Sequence, residues 1–306
     1  MRHDEIRTAP LGVPSARGDS AVVSHSGMLA RMRSTLALLL MLSTSACGAA
    51  VGSARTARGA AIEPADFLTE VGADTAVLRR PERSIDELEA ARGEASGTER
   101  RTIVRDLVVA HVFAAEDADE REARRLRRRA ERMADAAVRG SRDAQLNADI
   151  AFLKLWMSWR AGAGNAATRA ERFTDRHRES GDLLLIAWMI RGELAIEAER
   201  WDDSLAAFRF ALGRLEHPLY AYALYRSAHS YRALERADDA TQALSEVEQL
   251  GCAPGASPLV VRLATAAASE RGSGLRQDTD GVIRPASCPS PDERAREPER
   301  EWRPEE

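Results

Sequence analysis

The chain has 306 residues, 44% of them apolar, enough to bury a sizeable core in one or two domains. Its net charge of −4 gives no global signal for a nucleic-acid partner. Sparse aromatics (5%) and rare β-branched runs favour helices over sheets, and one lysine, Lys154, against 43 arginines reads first as a genomic bias.

Residues 1–27 are polar and irregular. Residues 34–54 carry no charge, and Leu36–Leu42 is a compact apolar run with Arg31 and Arg33 before it. A basic front, a short apolar centre and an exit of small residues predict a secretion signal, far short of the ~20 residues of a spanning helix. Met28 would start such a signal at ordinary length, so residues 1–27 read as an irregular leader or an over-extended start, and 28–46 as the signal. Leu42-Ser43-Thr44-Ser45-Ala46-Cys47 resembles a bacterial lipoprotein box, with Thr44 where that family usually has Leu, Val or Ile. The resemblance implies that Cys47 is diacylated and becomes the mature N-terminus. It also implies that Gly48, not being Asp, directs the protein to the outer membrane, facing the periplasm. Plain secretion with cleavage near Ala50 and an uncleaved anchor are the alternatives.

Residues 47–83, rich in Gly, Ala, Arg and Pro and without a sustained period, predict a flexible tether. Ser84-Ile85-Asp86-Glu87 has the form of a capping box and predicts a short helix over about 84–94. Amphipathic helices then follow one another with short polar breaks. Ile103, Leu107, Val108, His111 and Val112 share one face of the first, and Ala123, Leu126, Ala130, Met133 and Ala137 one face of the second. Over 146–160 apolar residues run nearly all round, which predicts a central helix. His217-Pro218 and Gly251 read as stops, and Ser257-Pro258 as the start of a last helix ending near Arg271. The proline-rich, mixed-charge residues that end the chain predict a disordered tail over 272–306.

Within 84–271 one spacing recurs 36 residues apart. Trp188, Gly192, Ser204, Phe208 and Ala211 are matched by Leu224, Ala228, Ala240, Leu244 and Val247. These residues resemble tetratricopeptide repeats, helical hairpins with small residues at close helix contacts and bulky ones filling the gaps. The resemblance covers 182–250 well. It implies an all-α, helical-hairpin solenoid (TPR-like) between a disordered tether and a disordered tail, with 145–180 and 99–140 as divergent further hairpins. At Ala161-Gly162-Ala163-Gly164 the spacing is upset. In the family the first helix of each unit lines a concave groove. Carried over, that groove would present Met189, Glu193 and Glu197, then Tyr222, Tyr225, His229 and Arg232 as one helical stripe. The same rings packed as ordinary core are the alternative.

No HExxH, GxSxG, Walker loop, paired CxxC or dinucleotide fingerprint occurs, and no His has a partner at ligand spacing. No cofactor, no metal and no enzymatic activity are therefore expected. Arg121, Arg124, Arg125, Arg128 and Arg132 form a stripe after the acidic run Glu116–Glu122. It reads either as a solvated face with i,i+4 pairs or as a site for phosphate-bearing lipid or an acidic partner. Asp278-Thr279-Asp280-Gly281 suits a turn better than a calcium loop, whose first position would be Arg276. Cys252 and Cys288 would be free to bond in an oxidising compartment, though their spacing leaves the bond open. The function expected is a lipid-anchored scaffold for an unidentified envelope protein or peptide. An accessory subunit of an envelope enzyme, or a divergent enzyme, is the alternative.

Overall fold

Short polar residues and prolines at the ends of apolar-striped segments set the elements of this chain. A computed structural model describes residues 62–213, 217–278 and 281–289; the leader, the signal and Cys47 lie outside the described residues. Among the described residues the fold is all-α with one small hairpin. Its helices are α1 (Pro64–Val71), α2 (Ile85–Glu94), α3 (Gly97–Glu116), α4 (Glu120–Val138), α5 (Ala144–Arg160), α6 (Ala166–Arg176), α7 (Gly181–Glu197), α8 (Trp201–Leu212), α9 (Pro218–Ala233), α10 (Ala237–Cys252) and α11 (Pro258–Arg271). The strands β1 (Leu275–Gln277) and β2 (Ile283–Pro285) follow. The Ser84 hydroxyl accepts the Glu87 N–H while the Glu87 carboxylate accepts that of Ser84, so α2 starts on a complete capping box. Ser257 caps α11 through the Val260 N–H, with Pro258 in the first turn, where its missing N–H costs nothing. Helix α5 is buried nearly all round: Leu146, Ile150, Leu153, Trp156, Met157 and Trp159 all lie in the core.

From α2 onward each helix packs on the next, and α3, α5, α7, α9 and α11 also pack each on the following odd-numbered one. Small residues make the close approaches. A Cβ on Gly192 of α7 would lie 2.4 Å from the Phe208 ring of α8, so the gap that Gly192 leaves is the one Phe208 fills. Ser204 of α8 and Ser230 of α9 share a buried hydrogen bond of 2.6 Å. Gly251 lies inside α10, where it was expected to stop the helix; a Cβ there would strike Ala264 of α11 at 2.2 Å. Close packing requires this glycine.

Four odd-numbered helices end on one backbone figure. Gly162, Glu199, Glu235 and Gly272 take left-handed φ values of 59°, 56°, 58° and 72°, at intervals of 37, 36 and 37 residues. Each donates its N–H three residues back, to Trp159, Ile196, Arg232 and Ser269; the next N–H reaches five back, to Ser158, Ala195, Tyr231 and Ala268. This Schellman ending satisfies carbonyls that a helix would otherwise leave open. The Ala161–Gly164 stretch keeps the figure, and the break in sequence spacing is confined to the turn: α6 starts four residues after Gly162, whereas α8 and α10 start two after Glu199 and Glu235.

Both flanks differ from expectation. The tether was expected to run to residue 83, yet Phe67, Leu68, Val77 and Leu78 are at most 2% exposed within the main core. Residues 62–80 form a strap. Helix α1 has only eight residues, too few for a helical period to stand out, and its apolar side chains have value only against a distant partner. The tail was expected to be disordered from 272, but β1 and β2 pair antiparallel, Arg276 opposite Arg284, and pack on α10 and α11. Composition missed this because cross-links hold the hairpin. Cys252 and Cys288 are disulfide-bonded, with Cα atoms 5.0 Å apart. Buried Glu248 accepts hydrogen bonds from Arg271, Ser273 and Ser287. Residues 290–306 lie outside the described residues.

Candidate functional site

One face of α7 carries Ile186, Met189, Glu193 and Glu197, and one face of α9 carries Tyr222, Tyr225, Arg226, His229 and Arg232. The strap crosses this face. The Phe67 ring stacks on Tyr222 at 4.7 Å between centroids, and Glu70 pairs with Arg262 of α11 at 2.5 Å. Gly72 sits where a Cβ would lie 3.1 Å from Ile186 of α7. At the far end Arg80 pairs with Asp117 at 2.9 Å and lies over the Phe113 ring of α3.

The predicted groove is therefore divided. Met189, Glu193, Tyr222 and Tyr225 were placed on an open groove, and the structure buries all four, at 0%, 3%, 0% and 6% exposure. The strap supplies the cover for Tyr222, and ion pairs across neighbouring helices complete the burial. Glu197 is exposed, and the His229 and Arg232 side chains keep 34% and 42% of their surface.

Beneath that surface lies a polar network. The Tyr222 hydroxyl donates to Glu193 at 2.9 Å, and Arg226 donates to both Glu193 oxygens at 2.7 and 2.5 Å. Burial and the adjacent Glu193 charge push the Tyr222 hydroxyl well above the usual phenol range, so it stays a donor. Burial works against the charge of Arg226, but Glu193 outweighs it and holds the guanidinium ionised. Glu270 of α11 accepts from Tyr225 and from Arg232, each at 2.5 Å. His229 stands edge-on to Tyr225, with its Nε2 3.7 Å from Glu270. Burial, then the Arg226 charge, lower the His229 pKa, which keeps the imidazole neutral at neutral pH. Partial desolvation beside α9 and then the neighbouring Glu193 charge move the Glu197 pKa upward. Arg226 and Glu270 were missed from sequence; their position four residues after Tyr222 and at the end of the last helix gave no distinguishing signal.

Of the carboxylates on this face, Glu193 is engaged by Tyr222 and Arg226, and Glu270 by Tyr225 and Arg232. Among the described residues no group of three His, Cys, Asp or Glu is placed to hold a metal. Asp278, the start of the calcium-like stretch, is held by Arg276 and Arg284 at 3.1 and 2.9 Å. Comparison with protein-family models, with curated proteins and with solved structures finds no match to this chain.

Proposed function

We propose that this protein is a helical-repeat scaffold, TPR-like in plan, that holds another protein or peptide of the bacterial envelope. The observation that carries the reading is the recurrence of one left-handed helix ending at 37-, 36- and 37-residue intervals, together with odd-numbered helices packed side by side. Repeats stacked this way present one continuous face, the usual binding surface of such proteins. The end of that face that no described residue covers carries Glu197, His229 and Arg232, groups suited to a polar or charged segment. No enzymatic step, cofactor or nucleic acid is part of the proposal.

The anchor belongs to the same proposal: Cys47 carries the lipid, and the domain faces the periplasm from the outer membrane. Its support is the short apolar run before Ser43-Thr44-Ser45-Ala46-Cys47 and the Gly at 48. No helix among the described residues is long and apolar enough to cross a membrane. Two experiments test the proposal. Fatty-acid labelling should mark the wild type and not Cys47→Ala; equal labelling removes the anchor. A photo-crosslinking residue at Arg232 or Glu197 should trap one discrete adduct in intact cells, and the same residue at exposed Arg172 of α6 should trap none. Equal patterns at these positions would reject the face as the interface.

A further inference from the structure

Helix α4 turns a row of arginines to solvent, most of them without an ion-pair partner among the described residues. Its packed side is made of alanines, with Ala123, Ala130 and Ala134 buried. Arg121, Arg125, Arg128 and Arg132, at steps of four, three and four, are all exposed on one other side, with Arg124 beside them. Among the described residues the hollow along this row is lined by α4 and its cap residue Asp119 alone.

A solvated helix of ordinary kind would balance these charges within itself. Here that balance stops after one turn. Glu120 takes Arg124 at 2.6 Å and Glu122 takes Arg125 at 2.8 Å. The acids further along are committed elsewhere: Glu131 to Arg169 of α6, and Asp135 to Lys154 of α5. Arg121, Arg128 and Arg132 are left with no ion pair or hydrogen bond among the described residues. In a chain of net charge −4, this concentrates positive charge on one face about 16 Å long, at 1.5 Å per residue.

We infer that this face of α4 docks on a bilayer surface carrying anionic, phosphate-bearing lipids. The exposed residues of α4 include nothing apolar larger than Ala136, so the face offers dense charge without the apolar centre common in packed protein interfaces. A headgroup plane needs none: it offers many phosphates at once, and guanidinium matches phosphate with paired hydrogen bonds. Each arginine near such a surface contributes roughly fivefold in partitioning, weakened as salt shortens the screening length. The inference does not depend on the lipid at Cys47, although an acyl chain and a basic patch together make the two signals that stable anchoring takes.

The test uses the full chain with Cys47→Ser, so that no acyl group contributes. Its co-sedimentation with vesicles of phosphatidylglycerol and phosphatidylcholine is compared with pure phosphatidylcholine at low and at physiological salt. The protein should partition to the anionic vesicles only, less so at higher salt. Replacing Arg121, Arg128 and Arg132 by Gln should weaken partitioning about 100-fold with an unchanged melting curve. A control with the same charge change on α6 and just after it, Arg172→Gln, Arg176→Gln and Arg178→Gln, should lose far less. Equal losses in the two triple variants, or no partitioning of the parent, overturn the proposal. Tighter binding to a polyglutamate peptide than to the vesicles overturns it in favour of an acidic protein partner. Displacement by millimolar glycerophosphate overturns it in favour of a single-phosphate site.

Discussion

The two ends of the odd-helix face are built from the same helices and finished in opposite ways. Towards the starts of α7, α9 and α11 the strap closes the face with apolar cover, Phe67 on Tyr222 and Gly72 against Ile186. Towards their ends none of the described residues covers it, and the parallel helices are tied by charge instead, Arg226 to Glu193 and Arg232 to Glu270. One side-chain stripe thus serves as core at one end and as surface at the other. The difference lies in what the rest of the chain lays over it.

The strap gives the largest expected effect. Phe67 is 1% exposed, and Phe67→Ala should cost about 4 kcal/mol of unfolding free energy, since a deleted core ring leaves a cavity as well as losing its transfer energy. Denaturant titration measures this. A loss under about 0.5 kcal/mol would mean that the strap is a tether and that the covered end is open after all.

Tyr225 and Arg232 separate the two ends at finer grain. Both bind Glu270, but Tyr225 is 6% exposed while the Arg232 side chain keeps 42% of its surface. Tyr225→Ala should cost about 3 kcal/mol and Arg232→Ala less than about 1 kcal/mol, because solvent screens an exposed pair. If crosslinking at position 197 finds a partner, Arg232→Ala should weaken that adduct while leaving the fold intact. Equal destabilisation by both changes would place Arg232 in the core and leave the face without an open end.

These contrasts also mark what the sequence could and could not convey. The pairing of Gly192 with Phe208 was legible because close packing needs a small residue where a bulky one arrives. The helix starts at Ser84 and Ser257 were legible because capping is local chemistry. The stripe Tyr222–Arg232 was legible as a stripe, but not as two environments. Its cover comes from an eight-residue helix far away in the chain, and nothing near Phe67 announces Tyr222. The hairpin was hidden for a similar reason. Two strands of three residues carry almost no period, and their order comes from Cys252–Cys288 and from Glu248, each reaching across the chain. Local signals fixed the helices, while long-range partners fixed the flanks and the site.

The smallest effect expected tests the repeat itself, at the open end. Glu199 and Glu235 hold the left-handed position that Gly162 and Gly272 hold in the neighbouring units. A side chain in this region costs roughly 1–2 kcal/mol, while glycine returns about 0.5–1 kcal/mol through the larger freedom of its unfolded chain. Glu235→Gly should therefore stabilise the fold by about 0.5–1 kcal/mol, and Glu199→Gly by a similar amount. For a chain of this size that raises the melting temperature by roughly 1–4 °C per substitution. Gly162→Glu should lower it by the same argument, since no atom lies near enough to its absent Cβ to add a clash. The two sites 36 residues apart should behave alike, and their effects should add, because separated sites with no shared partner are independent. Destabilisation by either glutamate-to-glycine change would mean that the helix does not end in the left-handed turn there. The shared ending that supports a repeat plan would then be lost.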